Sequence, residues 1–439
     1  MKLIQASIPL FFLLIAVELL YAQLGRRSLY RLNDSISDLA AGTLSQIAGI
    51  ATKVLLVGAY DWTFTTARVQ QWSPFPAWPD GPFWPRGSAD GAWDWRAALG
   101  WVVAFLAVDL AYYWFHRVSH EVNLFWAGHV VHHSSEEYNL AVALRQTAVG
   151  GVLSWVFYMP LALLGMTLPQ FAACYALNLI YQFWIHTRAI GRLPRWAEAV
   201  LNTPSHHRVH HGVNPEYQDR NYAGVLIVWD RWFGTFTEEQ QEPVYGLTTP
   251  LASWNPLWAQ VHHYVAIGKQ CARATSWRDR WHYLFGAPGW RPADAGGPVV
   301  VPPVSVVTFL KFDPAIPPQL AAYALVHFVL ALPAALWLLA RAGTMAAAPL
   351  VAGCFYVVLT LTNVGGVLEA RRWAHLLEQA RLWSATLTLV VAATQGWLPG
   401  WITTLAVAVA LGSSWWLWRA RRAFTTPSDE RMDIGFRPT

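Results

Sequence analysis

Charge is what this sequence has least of. Only 13% of its 439 residues are Asp, Glu, Lys or Arg, while 55% are hydrophobic, which leaves too little polar surface to cover a soluble globule of this length. Cysteine is nearly as scarce. Cys174, Cys271 and Cys354 are odd in number and two lie in apolar runs, so they provide neither a disulfide framework nor a thiolate metal site. The net charge of +5 is spread over short basic edges rather than gathered into a run. That pattern speaks against nucleic acid and suits the edge of an anionic bilayer. We find no internal repeat.

Apolar length is abundant. A spanning helix needs about 20 apolar residues, and such windows fall near 3–22, 38–60, 97–115, 147–166, 167–187, 318–340, 345–364, 380–396 and 399–418. The chain therefore reads as all-α, a polytopic integral membrane protein with about nine apolar segments. The first is expected to be a retained anchor: it is long, contains Glu18, and runs into Gln23 and Arg26 instead of a small-residue cleavage site. Placing Arg26, Arg27 and Arg31 in the cytosol and alternating through the spans brings Arg117, Arg188, Arg208, Arg371 and Arg419 to the same side. The host membrane is expected to be the inner membrane in a bacterium or the endoplasmic reticulum in a eukaryote. Composition divides the chain into anchor spans with a Trp/Pro-rich interfacial loop at 69–96 (1–96 together), a central unit (97–285), a Pro/Gly-rich linker (286–304), a four-span region (305–420) and a polar tail (421–439).

Ten of the fifteen histidines lie between His116 and His211. They form His116-x3-His120, His129-x2-His132-His133 and His207-x2-His210-His211, with His206 beside the last and His186 at the end of an apolar run. Residues i, i+3 and i+4 share a helix face, so each group aims its ring nitrogens one way. Neutral imidazole is the commonest protein ligand for transition metals. One His-x2-His in an apolar protein is ordinarily a packed core residue, but three such groups so close together exceed any packing need. Eight to ten imidazoles are also too many for one ion and suit two. Soluble di-iron bundles use bridging carboxylates and Glu-x2-His pairs, a pattern absent here. Glu121, Glu136 and Glu137 only flank the histidines. A shell of neutral rings is expected to lose its metals as pH falls through the ordinary histidine range near 6.5. Two redox metals on the cytosolic cap of an apolar protein point to O2 activation and attack on a lipid C–H bond.

The three-group pattern resembles the fatty acid hydroxylase/sterol desaturase superfamily of membrane di-iron enzymes. Within it, several runs resemble the alkylglycerol monooxygenases: Tyr112-Tyr113-Trp114-Phe115-His116-Arg117, Trp126-Ala127-Gly128-His129, Tyr181-Gln182-Phe183-Trp184-Ile185-His186-Thr187, Asn202-Thr203-Pro204-Ser205-His206-His207 and Asn221-Tyr222-Ala223-Gly224. The match is dense from about 107 to 263. That resemblance implies an O2-dependent, tetrahydrobiopterin-dependent monooxygenase holding two iron ions and hydroxylating the ether-bearing carbon of an alkylglycerol. It implies His116, His120, His129, His132, His133, His207, His210 and His211 as iron ligands, with His186 and His206 as further candidates. Glu121, next to a ligand, is a candidate catalytic group and a candidate for the pterin's amino-pyrimidine edge. Arg145 and Gln146, at the mouth of the 147–187 hairpin, are candidates for holding the glycerol. Asp230 is expected to support ligands or the cap rather than react.

Two rival readings start from the same histidines. A fatty acid or sterol hydroxylase or desaturase of the same superfamily would draw electrons from a ferredoxin or cytochrome b5; no segment reads as a haem-binding domain, so the reductant is external in either case. A histidine-rich metal carrier would place its ligands along a path through the spans, whereas these gather at one face.

Overall fold

The computed structural model describes residues 2–69, 95–301, 303–396 and 398–425. Residues 70–94 of the expected interfacial loop and most of the polar tail at 421–439 lie outside the described residues. Among the described residues there are fifteen α-helices and no strand, only the isolated bridges Leu201 to Leu226 and Gly212 to Tyr245.

Six helices are long and apolar enough to cross a bilayer: α1 (Lys2–Leu24), α2 (Leu32–Ala67), α3 (Trp95–Glu121), α12 (Pro318–Arg341), α13 (Ala347–Leu368) and α15 (Gly400–Ala420). The other three expected segments are helical but differ. The hairpin of α5 (Gly150–Leu163) and α6 (Leu168–Trp184) has arms of 14 and 17 residues, about 21 and 25 Å at 1.5 Å per residue, short of the roughly 30 Å hydrocarbon core. Gly165, at φ +89°, makes the turn, and Thr167 starts the second arm by accepting a hydrogen bond from the Gln170 amide. The third, α14 (Arg372–Thr394), has the length but carries Arg372, Glu378 and Arg381.

Two apolar cores organise the protein. One joins α2, α12 and α13 around Leu320, Phe328, Leu361 and Leu368. The other joins α3, α5 and α6 around Val108, Tyr158, Leu161 and Met166. The remaining helices are α4 (Asn123–His133), α7 (Arg195–Val200), α8 (Pro204–His210), α9 (Val228–Phe233), α10 (Pro256–Arg273) and α11 (Trp277–Phe285). Helix α10 starts at an Asn255 cap, buries Ala259, Gln260 and Ile267, and leaves Leu257, Trp258, Val261 and Val265 exposed. Apolar residues on both faces suit a helix lying along a bilayer surface.

Helix α2 is too long for the bilayer and its first turns enter the protein. Asp34, Ser37 and Asp38 are fully buried there. Gly42 lets α2 pass directly beneath the chain at Leu144: a Cβ at that position would come within 2.0 Å of the Leu144 carbonyl oxygen. The amino-terminal helices are thus packed into the unit that carries the histidines.

Candidate metal centre

Helix geometry sorts the histidines into two sets. In each His-x2-His-His group the first and last rings are four residues apart and share a face, whereas the middle ring is turned away from its neighbour by about 100°. Accordingly His129 and His133 of α4 point into one set and His132 into the other. At the end of α8, His207 and His211 share a set and His210 goes across. Helix α3 adds His116 and His120, and the chain leaving α6 adds His186. The result is a five-histidine set (His116, His120, His129, His133, His210) and a four-histidine set (His132, His186, His207, His211). Helices α4 and α8 straddle both, with opposite majorities.

The ring nitrogens fit metal ions better than they fit one another. With an imidazole nitrogen about 2.1 Å from an ion, two ligands at right angles stand about 3.0 Å apart. The Nε2 atoms of His116 and His129 are 2.9 Å apart, those of His129 and His133 3.2 Å, His132 and His186 3.2 Å, and His186 and His207 3.0 Å. A hydrogen bond does not explain the His132–His186 approach. His132 Nδ1–H donates to the Arg145 carbonyl at 2.9 Å and His186 Nδ1–H to the Gln182 carbonyl at 2.7 Å, so in the neutral rings two bare lone pairs face each other. A cation between them removes that repulsion. The Nε2 atoms of His120, His210 and His211 are buried and without a hydrogen-bond partner, as ligand atoms are before an ion is counted.

Burial keeps the rings neutral. It pushes His132 down to about 4 and holds His129, His133, His186, His207, His210 and His211 well below their ordinary range. The expectation that ring protonation competes with metal near pH 6.5 is therefore corrected downward. The cause is desolvation of the charged form, which sequence alone does not quantify.

Backbone carbonyls aim individual rings. His116 Nδ1–H donates to the Tyr222 carbonyl at 2.7 Å and His210 Nδ1–H to the Arg220 carbonyl at 2.9 Å. The Tyr222 segment is fixed by two buried carboxylates. Asp230 accepts from the amides of Tyr222 and Ala223, both at 2.8 Å, and from Thr235 Oγ1. Asp109 of α3 accepts from the amides of Val225 and Leu226 and from Trp229 Nε1. Such outer partners fix the tautomer and aim the ring at its metal.

The remaining candidates are dispersed. His206 belongs to neither set; its ring meets the edge of Phe236 at 5.4 Å, and burial pushes it down to about 4. Glu121 is exposed at the end of α3, paired with Arg117 at 2.9 Å. Gln146 is exposed, its amide donating to the Ala143 carbonyl. Arg145 is turned inward, 2% exposed, and its guanidinium is occupied by Asp38, Ser37, Ser134 and the Val131 carbonyl. That position corrects its assignment to a lipid headgroup. Sequence reading missed Asp34, Asp38 and Asp109 as parts of the site. For Asp38 and Asp109 the available signal was an acidic residue inside an apolar window, which by default has a function.

Residues 101–235, which contain all nine paired histidines, match the fatty acid hydroxylase family, so the site is that of a membrane lipid monooxygenase whose histidine sets fit iron. Residues 320–410 match the alkylglycerol monooxygenase C-terminal domain. The chain is 36% identical to the alkylglycerol monooxygenase of Xenopus tropicalis, over 86% of this chain and 80% of that protein. With the Homo sapiens alkylglycerol monooxygenase it shares 35% identity over 86% and 80%, and with that of Danio rerio 36% over 87% and 80%. This chain belongs to the alkylglycerol monooxygenase family, and it is an O2-dependent oxidoreductase of the membrane. No solved structure matches it.

Proposed function

We propose that this chain hydroxylates the ether-bearing carbon of an alkylglycerol, with two irons held by the two histidine sets and tetrahydrobiopterin as the two-electron donor. The observation that carries this reading is the pair of buried imidazole sets beside short apolar helices in a chain of this family. One oxygen atom of O2 enters the C–H bond and the other leaves as water. The C–H bond beside an ether oxygen is weakened by the oxygen lone pair, and the product is a hemiacetal that collapses to a fatty aldehyde and a glycerol derivative. The irons supply the oxidising power. The chain's own residues supply neutral ligands, exclusion of water and position.

In this reading Gln146, exposed at the mouth of the α5–α6 hairpin, meets the glycerol. Glu121, exposed one residue from a ligand, receives the donor's amino-pyrimidine edge. The active site faces the cytosol. Supporting this, the connection between α1 and α2 carries Arg26, Arg27 and Arg31, and Arg31 bonds Glu136 just after α4. The connection between α13 and α14 carries Arg371, and its neighbour Glu369 bonds Ser253 and the Trp254 amide. Basic edges and the histidine cap thus share a side. The short hairpin enters and leaves on that side whether or not it crosses. We take 97–285 as the catalytic unit, completed by the inner end of α2, with 286–304 as the link to the last four helices.

The test is aldehyde formation from a 1-O-alkylglycerol by membranes containing this chain, with O2, with and without tetrahydrobiopterin. Pterin-dependent aldehyde is expected. Aldehyde formed only with a ferredoxin or cytochrome b5 would contradict the donor, and hydroxylation elsewhere on a lipid would contradict the substrate.

A further inference from the structure

The guanidinium of Arg145 is not the only part of this residue that matters. Its carbonyl is the acceptor for His132 Nδ1–H at 2.9 Å, and its side chain determines where that carbonyl stands. Nε donates to the Val131 carbonyl at 2.6 Å, in the last turn of the helix that carries His132. NH2 donates to Ser134 Oγ at 2.7 Å, and NH1 to Ser37 Oγ at 3.0 Å and Asp38 Oδ1 at 3.1 Å. Asp38 is fully buried on α2, a membrane helix outside the part of the chain that matches the fatty acid hydroxylase family. The neighbouring Asp34 accepts from Ser135 Oγ and the Glu137 amide, so α2 grips the whole turn after α4. Gly42 presses α2 against Leu144, the residue before Arg145.

We propose that Arg145 is a positioning residue for His132. Clamped by Asp38, it holds its own carbonyl on His132 Nδ1, fixes the tautomer that offers Nε2 to the metal, and so sets the four-histidine set. Two rings of the five-histidine set have other outer partners: His116 bonds the Tyr222 carbonyl, in the segment held by Asp230 and Asp109, and His210 the Arg220 carbonyl. The two irons of the proposed function, on which this inference rests, therefore share helices α4 and α8 but differ in the partners that aim their ligand rings. Loss of one support empties one set.

The full-length chain, purified in detergent, carries the test. The double variant Asp38→Asn/Arg145→Gln removes both buried charges together, so neither is stranded. Iron per chain falls to about half that of the unaltered chain, and the remaining Mössbauer signal matches that of a His132→Ala chain. Asp230→Asn perturbs the other iron's signal. Retention of both signals by the double variant, or loss of both from protein eluting like the unaltered chain, overturns the proposal. If the double variant aggregates, Arg145→Lys decides: it keeps a charge for Asp38 but loses the fork to Val131 and Ser134. A chelator then removes one iron about tenfold faster or more, in keeping with other outer-ligand losses, and an unchanged rate overturns the proposal. The iron count of the unaltered chain tests the two-metal reading by itself.

Discussion

Replacing His132 by Ala slows lipid turnover at least about a thousandfold, about 4 kcal/mol of transition-state stabilisation, while the chain still inserts in the membrane. His132 is one of only four rings in its set, and its neighbours His186 and His207 cannot shift to replace it: His186 is held by the Gln182 carbonyl, and His207 lies on α8, anchored elsewhere. Helix α4 has 11 residues and is not among the spanning helices, so the substitution leaves the membrane segments untouched. The comparison chain is His206→Ala, whose ring lies in neither set. It retains iron and most of its turnover. The check is turnover per chain, with elution volume and expression matched. A His132→Ala chain with near-normal turnover sinks the two-set account.

The second large effect is on stability and lies far from the histidines. Glu378 and Arg381 of α14 form a buried pair that all four carboxy-terminal helices surround. Glu378 accepts from Tyr323 of α12 and Asn363 of α13, both at 2.6 Å, and from Arg381 Nε at 2.8 Å. Arg381 donates to Tyr356 and Thr360 of α13 and meets His327 of α12, whose other nitrogen faces Ser413 of α15 at 3.4 Å. Glu378→Ala leaves a guanidinium unpaired inside an apolar bundle, which costs about 3–5 kcal/mol. Removing both charges together costs less, because nothing is stranded. Thermal unfolding in lipid nanodiscs reads the difference. An unchanged midpoint for Glu378→Ala would show that the pair does not hold these helices together.

The same physics explains what was legible in the sequence. The i, i+3, i+4 spacing picked out all but His186 of the nine histidines that gather into the two sets, and the rotation of about 100° per residue contains their division, although the spacing alone does not say where the second set's partners stand. His206 was drawn in because adjacency in sequence looks like adjacency in space. Every window counted as apolar lies on a helix, but hydropathy does not register that the α5–α6 arms stop short at Gly165, or that Glu378 and Arg381 of α14 pair with each other. Arg145 was misplaced for a related reason. An Arg at the mouth of a hairpin can snorkel to a headgroup or turn inward, and its choice depends on Asp38, 107 residues away. Glu18, which sets the first span apart from a signal peptide, accepts from the Leu140 amide at 2.8 Å and from Thr187, next to His186. Long-range partners of this kind leave no local pattern.

Iron per chain, measured on the purified full-length protein together with its Mössbauer spectrum, tests the central claim most directly. The account predicts two irons per chain, both lost when His129 and His207 are replaced together. A single iron, or zinc in place of iron in an active preparation, would contradict it.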